Sequence, residues 1–424
     1  MPTLPDDVTA ALTAPLARVD ADLAARFPGE PAVRQPVHTC YVPADQMRAT
    51  LADDWGAAAL ATLDTHAGEP PMLAAVTGIP GELAERVHAH VRRVLATAPI
   101  ADLRVDFEDG YGDHDDAEED AHAVAAADAL RAAADAGRLP ASYGLRPKSL
   151  DPAVRTRGLR SLDLFVTTLA AGGAIPPGLV VTLPKVSTPA QVTVFCDILT
   201  ELENRLDIGS GLGAGIRLEV QVETPAAVLA LPAIVAAGRP RLTGLHVGTY
   251  DYSAALGVSA EHQASDHPAV ELATALMQLV AAGTGVQVAD GSSNLLPVGD
   301  RAAVHAAWRR HADLVRRAWM RGIYQGWDLH PAQLVSRHAT VAACLLTGLP
   351  AALARLSAWT GTAGSGMAGS GTAGSGAVAD EPATARALAG HIQRALDAGL
   401  LDDADLPVGL TRERPIPADG PVIC

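Results

Sequence analysis

Leu218–Val228 reads LEVQVETPAAV and Gly244–Ser253 reads GLHVGTYDYS. In the first segment Leu218, Val220 and Val222 alternate, and the run closes on Glu223-Thr224-Pro225. In the second, Leu245 and Val247 alternate, and Gly248-Thr249-Tyr250 leads into Asp251. Alternation at period two predicts strands. The Ala/Leu/Val-rich stretch Ala226 to Ala237 between them predicts a helix. The step from residue 223 to residue 251 is 28 positions, the length of a βαβ unit. In a parallel barrel the C-terminal strand ends share one face, where catalytic groups collect. Two carboxylates on such a face repel unless something pairs them. A hard divalent cation such as Mg2+ would do so.

The same pattern extends outward in both directions. Residues 1–35 carry an amphipathic helix over Leu4 to Arg26. The main domain, residues 36–350, opens on the strand PVHTCYVP, Pro36 to Pro43. Met47 to Ala61 and Gly81 to Ala96 read as helices in a long first connection. Further strands are expected at Leu103–Gly110, Tyr143–Lys148, Leu179–Lys185, Arg217–Glu223, Gly244–Asp251, Val286–Asp290 and Gly322–Pro331, with helical stretches between them. Eight strand–helix steps predict an α/β fold, the (β/α)8 TIM barrel. No GxGxxG follows any of these strands, so no dinucleotide site is expected. Residues 357–379 contain the run TAGSG-MAGSG-TAGSG and read as a Gly/Ser/Ala-rich linker. Residues 380–424 then form a C-terminal helical tail, read either as a lid or as an element packed permanently on the barrel's own flank.

Composition narrows the partners. Hydrophobic residues make up 49% and aromatics only 4%, so aliphatic side chains must fill the core. Lys and Arg number 32 against 48 Asp and Glu, a net charge of −16. An acidic chain without a basic tract argues against nucleic acid and against an anionic membrane. Cys40, Cys196, Cys344 and Cys424 are widely spaced with no CxxC pair, so no zinc or disulfide framework is expected. No signal-peptide pattern and no apolar run of spanning length is visible, and a cytoplasmic protein is expected.

Several expected strands end in ionisable groups: Asp106, Glu108 and Asp109; Arg146 and Lys148; Lys185; Glu223; Asp251; Asp290; Asp328 and His330. Placed round one barrel mouth, these make an acidic metal site faced by basic groups. That combination suits a small carboxylate, clamped by arginine and polarised by the metal. His330 before Pro331 reads as a structural hydrogen-bonding group, and His38 as a core or rim residue.

These motifs resemble one family in order. YVPADQM, VDFEDGYG, GLRPKS, VTLPKV, VQVETPAAV, GTYDYS and GWDLHPAQL, between residues 41 and 334, are similar to the successive strand motifs of the citrate lyase beta-subunit and 2-oxo-acid aldolase family. That family belongs to the pyruvate/phosphoenolpyruvate-binding barrel group. GTYDY is also similar to the GRWDY of malate synthases in the same group.

The resemblance implies a carbon–carbon lyase acting through an enolate on a small 2-oxo acid or an acyl-CoA ester. It implies Mg2+, with Mn2+ as a substitute, held by Glu223 and Asp251. Arg146 would bind the substrate carboxylate or enolate oxygen, with Asp106, Glu108 and Asp109 supporting the metal waters and the guanidinium. Lys185 and the Gly248-Thr249-Tyr250 segment would complete substrate binding. Asp109 stands where aldolases of the group often carry a histidine, which leaves the general base open. A homo-oligomer is expected. The other readings are a malate-synthase-like condensation of glyoxylate with an acyl-CoA, and a non-catalytic ligand-binding lyase subunit.

Overall fold

The computed structural model describes residues 3–29, 34–209, 215–363 and 382–406. Eight parallel strands form one sheet: β1 (Thr39–Pro43), β2 (Asp102–Asp106), β3 (Ser142–Arg146), β4 (Leu179–Leu183), β5 (Arg217–Val222), β6 (Leu242–Val247), β7 (Gln287–Ala289) and β8 (Trp327–Asp328). Their order is β7-β6-β5-β4-β3-β2-β1-β8, with helices between successive strands. This is the expected (β/α)8 fold. The chain forms two compact units, Met1–Gln35 with Gly144–Gly291, and Pro36–Tyr143 with the residues from Ser292 onward.

In the first unit, β4, β5, β6 and β7 are paired in sequence order. On β5, Leu218, Val220 and Val222 are buried with no exposed surface, and Glu219, Gln221 and Glu223 are buried beside them. Because successive side chains point to opposite faces, these are two separate rows. The helices that follow begin at residues chosen for the task. Thr224 accepts from the Ala227 amide at 3.0 Å and Pro225 occupies the first turn of Pro225–Gly238. Thr188 and Gln191 form a capping box ahead of Pro189–Leu206, again with proline in the first turn. Gly144 on β3 lies so close to β4 that a Cβ there would stand 1.7 Å from the Val180 carbonyl oxygen.

The amphipathic stretch ahead of β1 is two helices, Asp6–Thr13 and Leu16–Arg26, separated at Pro15, which has no N–H to continue the ladder. Neither helix buries a residue. Their end is tied down by hydrogen bonds from Arg239 to the Ala25 and Arg26 carbonyls and by the Gly29 amide to Gly283.

In the second unit, β1 pairs with both β2 and β8. The first connection holds three helices, Leu51–Ala67, Pro70–Thr77 and Ala84–Thr97. The middle one, with Pro70-Pro71 in its first turn, was not among the expected helices. The eighth strand is two residues, not ten, and the sixth and seventh are shorter than expected. The helix after β8 runs from Pro331 to Ala363. It is the one helix among the described residues long and apolar enough to cross a membrane, and Leu334, Val335, Ala339, Ala342, Leu345 and Leu356 on it are buried within this protein.

The linker run falls almost wholly at residues 364–381, outside the described residues. The tail helix Pro382–Asp397 is described, and its apolar face is packed. Ala385, Ala389, Ile392, Ala395 and Leu396 are buried. His391 Nε2 lies 2.9 Å from the Leu345 carbonyl, and the Arg394 guanidinium stacks 3.7 Å over the Tyr324 ring. Arg86 and Arg93 reach the carbonyls of Leu400, Ala398 and Gly399. Tyr324 precedes β8, so this docking is near the N-terminal end of that strand, away from the ends that carry catalytic groups in such folds.

Candidate active site

The ionisable groups at the ends of β3 to β6 come together within the first unit. Lys185 follows Pro184 at the end of β4 with φ 52°, in the left-handed region. That conformation turns its backbone amide onto Glu223 Oε1 at 2.5 Å. The two loops are further stitched by Thr224 Oγ1 donating to the Val186 carbonyl at 2.8 Å. Glu223 Oε2 accepts from Gln221 Nε2 at 2.6 Å, and Gln221 Oε1 accepts from the Arg146 guanidinium at 3.1 Å. Glu223 and Gln221 are each 1% exposed and Arg146 5%. Below them, Thr182 and His246 contact Glu219 Oε2 at 3.1 and 3.4 Å.

Asp251 is in the first turn of the short helix Thr249–Ala255, not on the strand. Its Oδ1 lies 3.5 Å from Lys185 Nζ, in a half-exposed pair. Gly248 makes room for the site. A Cβ at that position would stand 2.3 Å from Glu223 Oε2 and 2.5 Å from its Cβ. Thr249 is buried, its hydroxyl 3.1 Å from that of Ser265.

These residues fit a hard cation. Mg2+ takes oxygen ligands and is commonly held by one or two carboxylates with waters completing the shell. The Glu223 and Asp251 carboxylates match that preference, while the imidazole of His246 is engaged with Glu219. The Lys185 ammonium is the counter-charge that pairs Asp251 here, and a cation would take over that role. No group of three or more His, Cys, Asp or Glu side chains among the described residues is arranged to hold a metal, so a third protein ligand is not supplied.

Asp106, Glu108 and Asp109 lie in the second unit, at the end of β2. Asp106 is buried and caps its own turn, accepting from the Glu108 amide at 3.0 Å and the Gly110 amide at 3.2 Å. Glu108 accepts from the Asp109 amide at 3.1 Å, and Asp109 is exposed.

Asp328 is a correction to the sequence reading, which set it on the mouth. It is wholly buried, beside Cys40 in the sheet register. Its oxygens lie 2.8 Å from His38 Nδ1, 3.2 Å from His311 Nε2 and 2.9 Å from Arg337. The Ala101 amide donates to His38 Nε2 at 3.0 Å, which leaves Nδ1 as the ring nitrogen nearest Asp328. Burial pushes the Asp328 carboxyl upward, but the Arg337 guanidinium and the hydrogen bonds from His311 and His38 outweigh it and hold it well below the carboxylate range. This charged cluster belongs to the core. Its partners come from three separate chain segments, and no local pattern announced it. His330 accepts from the Ala332 amide at 3.2 Å as a helix cap, in keeping with a structural role. Glu219 and Gln221 carry no mark of function in the sequence beyond their period-two spacing from Glu223.

The chain matches the family described as a domain of unknown function (DUF6986) over residues 16–415. No curated protein matches it. Among solved structures, a citrate lyase from Burkholderia xenovorans LB400 is similar at 19% identity and a TM-score of 0.60, covering 87% of this chain and 94% of that one. A Haloferax volcanii malate synthase, native at 3 mM glyoxylate, is similar at 16% identity and a TM-score of 0.51, covering 74% and 76%. Its lead(II) complex gives 15% and 0.50, covering 73% and 74%. At these identities the likeness is one of fold.

Proposed function

From the premise that this chain belongs to the DUF6986 family and has the fold of those two enzymes, we propose that it is a Mg2+-dependent carbon–carbon lyase or aldolase. Its substrate would be a small 2-oxo acid or an acyl-CoA ester, handled through its enolate. The observation that carries this reading is the run of contacts Lys185–Glu223–Gln221–Arg146, which joins a buried carboxylate to a buried guanidinium. Glu223 and Asp251 would hold the cation, and Mn2+ would replace Mg2+. A bound divalent cation polarises a carbonyl or enolate oxygen as a Lewis acid.

The remaining work falls to the protein. Arg146 offers the planar fork that matches a carboxylate. Its burial strengthens its hold on negative charge that develops as an enolate forms. The Lys185 amide and Gln221 keep the Glu223 carboxylate aimed before substrate arrives, so no reorganisation is needed during the reaction. Lys185 Nζ adds a second cation at the half-exposed side, next to Asp251. Thr249 and Tyr250, between Gly248 and Asp251, would line the substrate.

The reading is tested by proton exchange. Pyruvate and short acyl-CoA esters are incubated in D2O with protein, with and without Mg2+. Metal-dependent deuterium incorporation into either is expected, and none in either would reject an enolate-forming enzyme. A condensation of glyoxylate with an acyl-CoA is the second reading, favoured by the likeness of GTYDY to the malate synthase motif. It predicts exchange confined to the acyl-CoA and thioester loss only when glyoxylate is added.

A further inference from the structure

We propose that Gln221 is a positioning residue that couples the anion-binding Arg146 to the metal ligand Glu223. This rests on the reading that Glu223 binds a divalent cation. It adds that the strength of that binding depends on Arg146 through one amide.

The amide's orientation is dictated by its neighbours. An arginine guanidinium only donates and an ionised carboxylate only accepts. Gln221 must therefore turn its oxygen to Arg146 and its NH2 to Glu223, as the 3.1 and 2.6 Å contacts place them. Both of its functions are committed, and the residue is 1% exposed. A buried polar side chain held at both ends is costly to rotate, because turning it would set donor against donor and acceptor against acceptor.

The two contacts also reinforce each other. A guanidinium on the amide oxygen polarises the group and makes its N–H a stronger donor. Glu223 Oε2, the receiving atom, faces Gly248, where even a Cβ would stand 2.3 Å away. Glu223 Oε1 is fixed by the Lys185 amide. The carboxylate thus has little room to compensate if Gln221 lets go. An anion that draws on Arg146 weakens its pull on Gln221, and the change reaches the metal ligand. The chemistry recognised is that of a small carboxylate whose binding is linked to the cation beyond their direct contact.

The test is a double-mutant cycle read by Mn2+ binding alone, through electron paramagnetic resonance of free Mn2+. Parent, Arg146→Met, Gln221→Met and the double variant are titrated with full-length protein, each checked for a cooperative melt. Arg146 also acts on the cation through space, and that part is the same with or without Gln221. The coupling is the remainder. The Kd shift caused by Arg146→Met is expected to differ about fivefold between the parent and Gln221→Met backgrounds. Shifts agreeing within twofold would overturn the bridge while leaving the metal site intact. A parent that binds no Mn2+ would overturn the metal reading itself, and the inference with it. If Gln221→Met does not fold, Gln221→Asn, whose shorter amide cannot span both partners, is read in the same cycle.

Discussion

The backbone amide of Lys185 donates to Oε1 of Glu223 at 2.5 Å, from a residue held at φ 52°. Among described residues other than glycine, only Asp207 shares a positive φ. A lysine in the left-handed region is strained by about 1–2 kcal/mol relative to its ordinary conformation. Such strain persists where surrounding structure over-determines it, and it gathers at functional sites. Here it fixes a donor on a buried carboxylate. Glu223→Gln sets one acceptor against two donors, the Lys185 amide and Gln221. The variant is expected to stay folded, with stability reduced by about 1–3 kcal/mol for one unsatisfied buried group. Its Mn2+ binding should fall below detection. Affinity equal to the parent's would remove Glu223 from the metal site.

Gly248 gives a steric version of the same test. Gly248→Ala drives a methyl into Glu223, 2.3 Å from one carboxylate oxygen. The carboxylate is flanked by the Lys185 amide and Gln221, so relief requires moving the ligand. Metal binding should weaken at least tenfold in a calorimetric titration, with the fold kept and stability lowered by about 1–3 kcal/mol for the overpacked methyl. A variant that binds normally would mean the loop at Gly248 shifts freely.

Acid should destabilise the second unit in a defined window. Burial holds His338 down at about 3, helped by its neighbour His38, and His90 at about 4, helped by Arg93. Both are neutral when folded and take up protons near 6.5 when unfolded. Stability is therefore fully present above about pH 6.5 and is lost as pH falls toward these folded values, by about 1.4 kcal/mol per pH unit for each histidine. His338→Gln keeps a donor for the Pro99 carbonyl and removes one of these protons. Urea unfolding between pH 7 and 4.5 should show a slope shallower by about one proton. An unchanged slope would mean His338 is protonated in the folded state.

Truncation after Thr360 separates a lid from a buttress. The tail helix buries Ile392, Leu396 and, beyond it, Leu400 and Leu401. At about 1.5–3 kcal/mol per fully buried aliphatic side chain, before chain entropy is set against it, that docking contributes materially to the unit. The shortened protein should melt well below the parent and bind an apolar dye. A truncated chain that melts like the parent and loses only turnover would restore the lid.

The sequence by itself determined the barrel and the order of its strands, while the strands end earlier than alternation suggested because the polar residues after them turn into loops and helix starts. Alternation in Leu218–Val222 and Leu245–Val247, and proline or threonine at helix starts such as Thr224-Pro225, are local physics that tertiary context had only to accept. Tertiary structure decided which of the ionisable groups work together. Asp328 resembled Asp251 as an acid near a strand end. It is nonetheless locked to His38, His311 and Arg337, because a buried carboxylate must find partners wherever the fold supplies them. The tail illustrates the same limit. Its helical spacing foretold an apolar face, but only packing beside Leu345 and Gly348 of Pro331–Ala363 decided where that face is buried. Gln221 was legible as a polar residue in an alternating strand. Its bridge from Arg146 to Glu223 was not, because residues 146 and 221 meet only when β3 and β5 stand in one sheet.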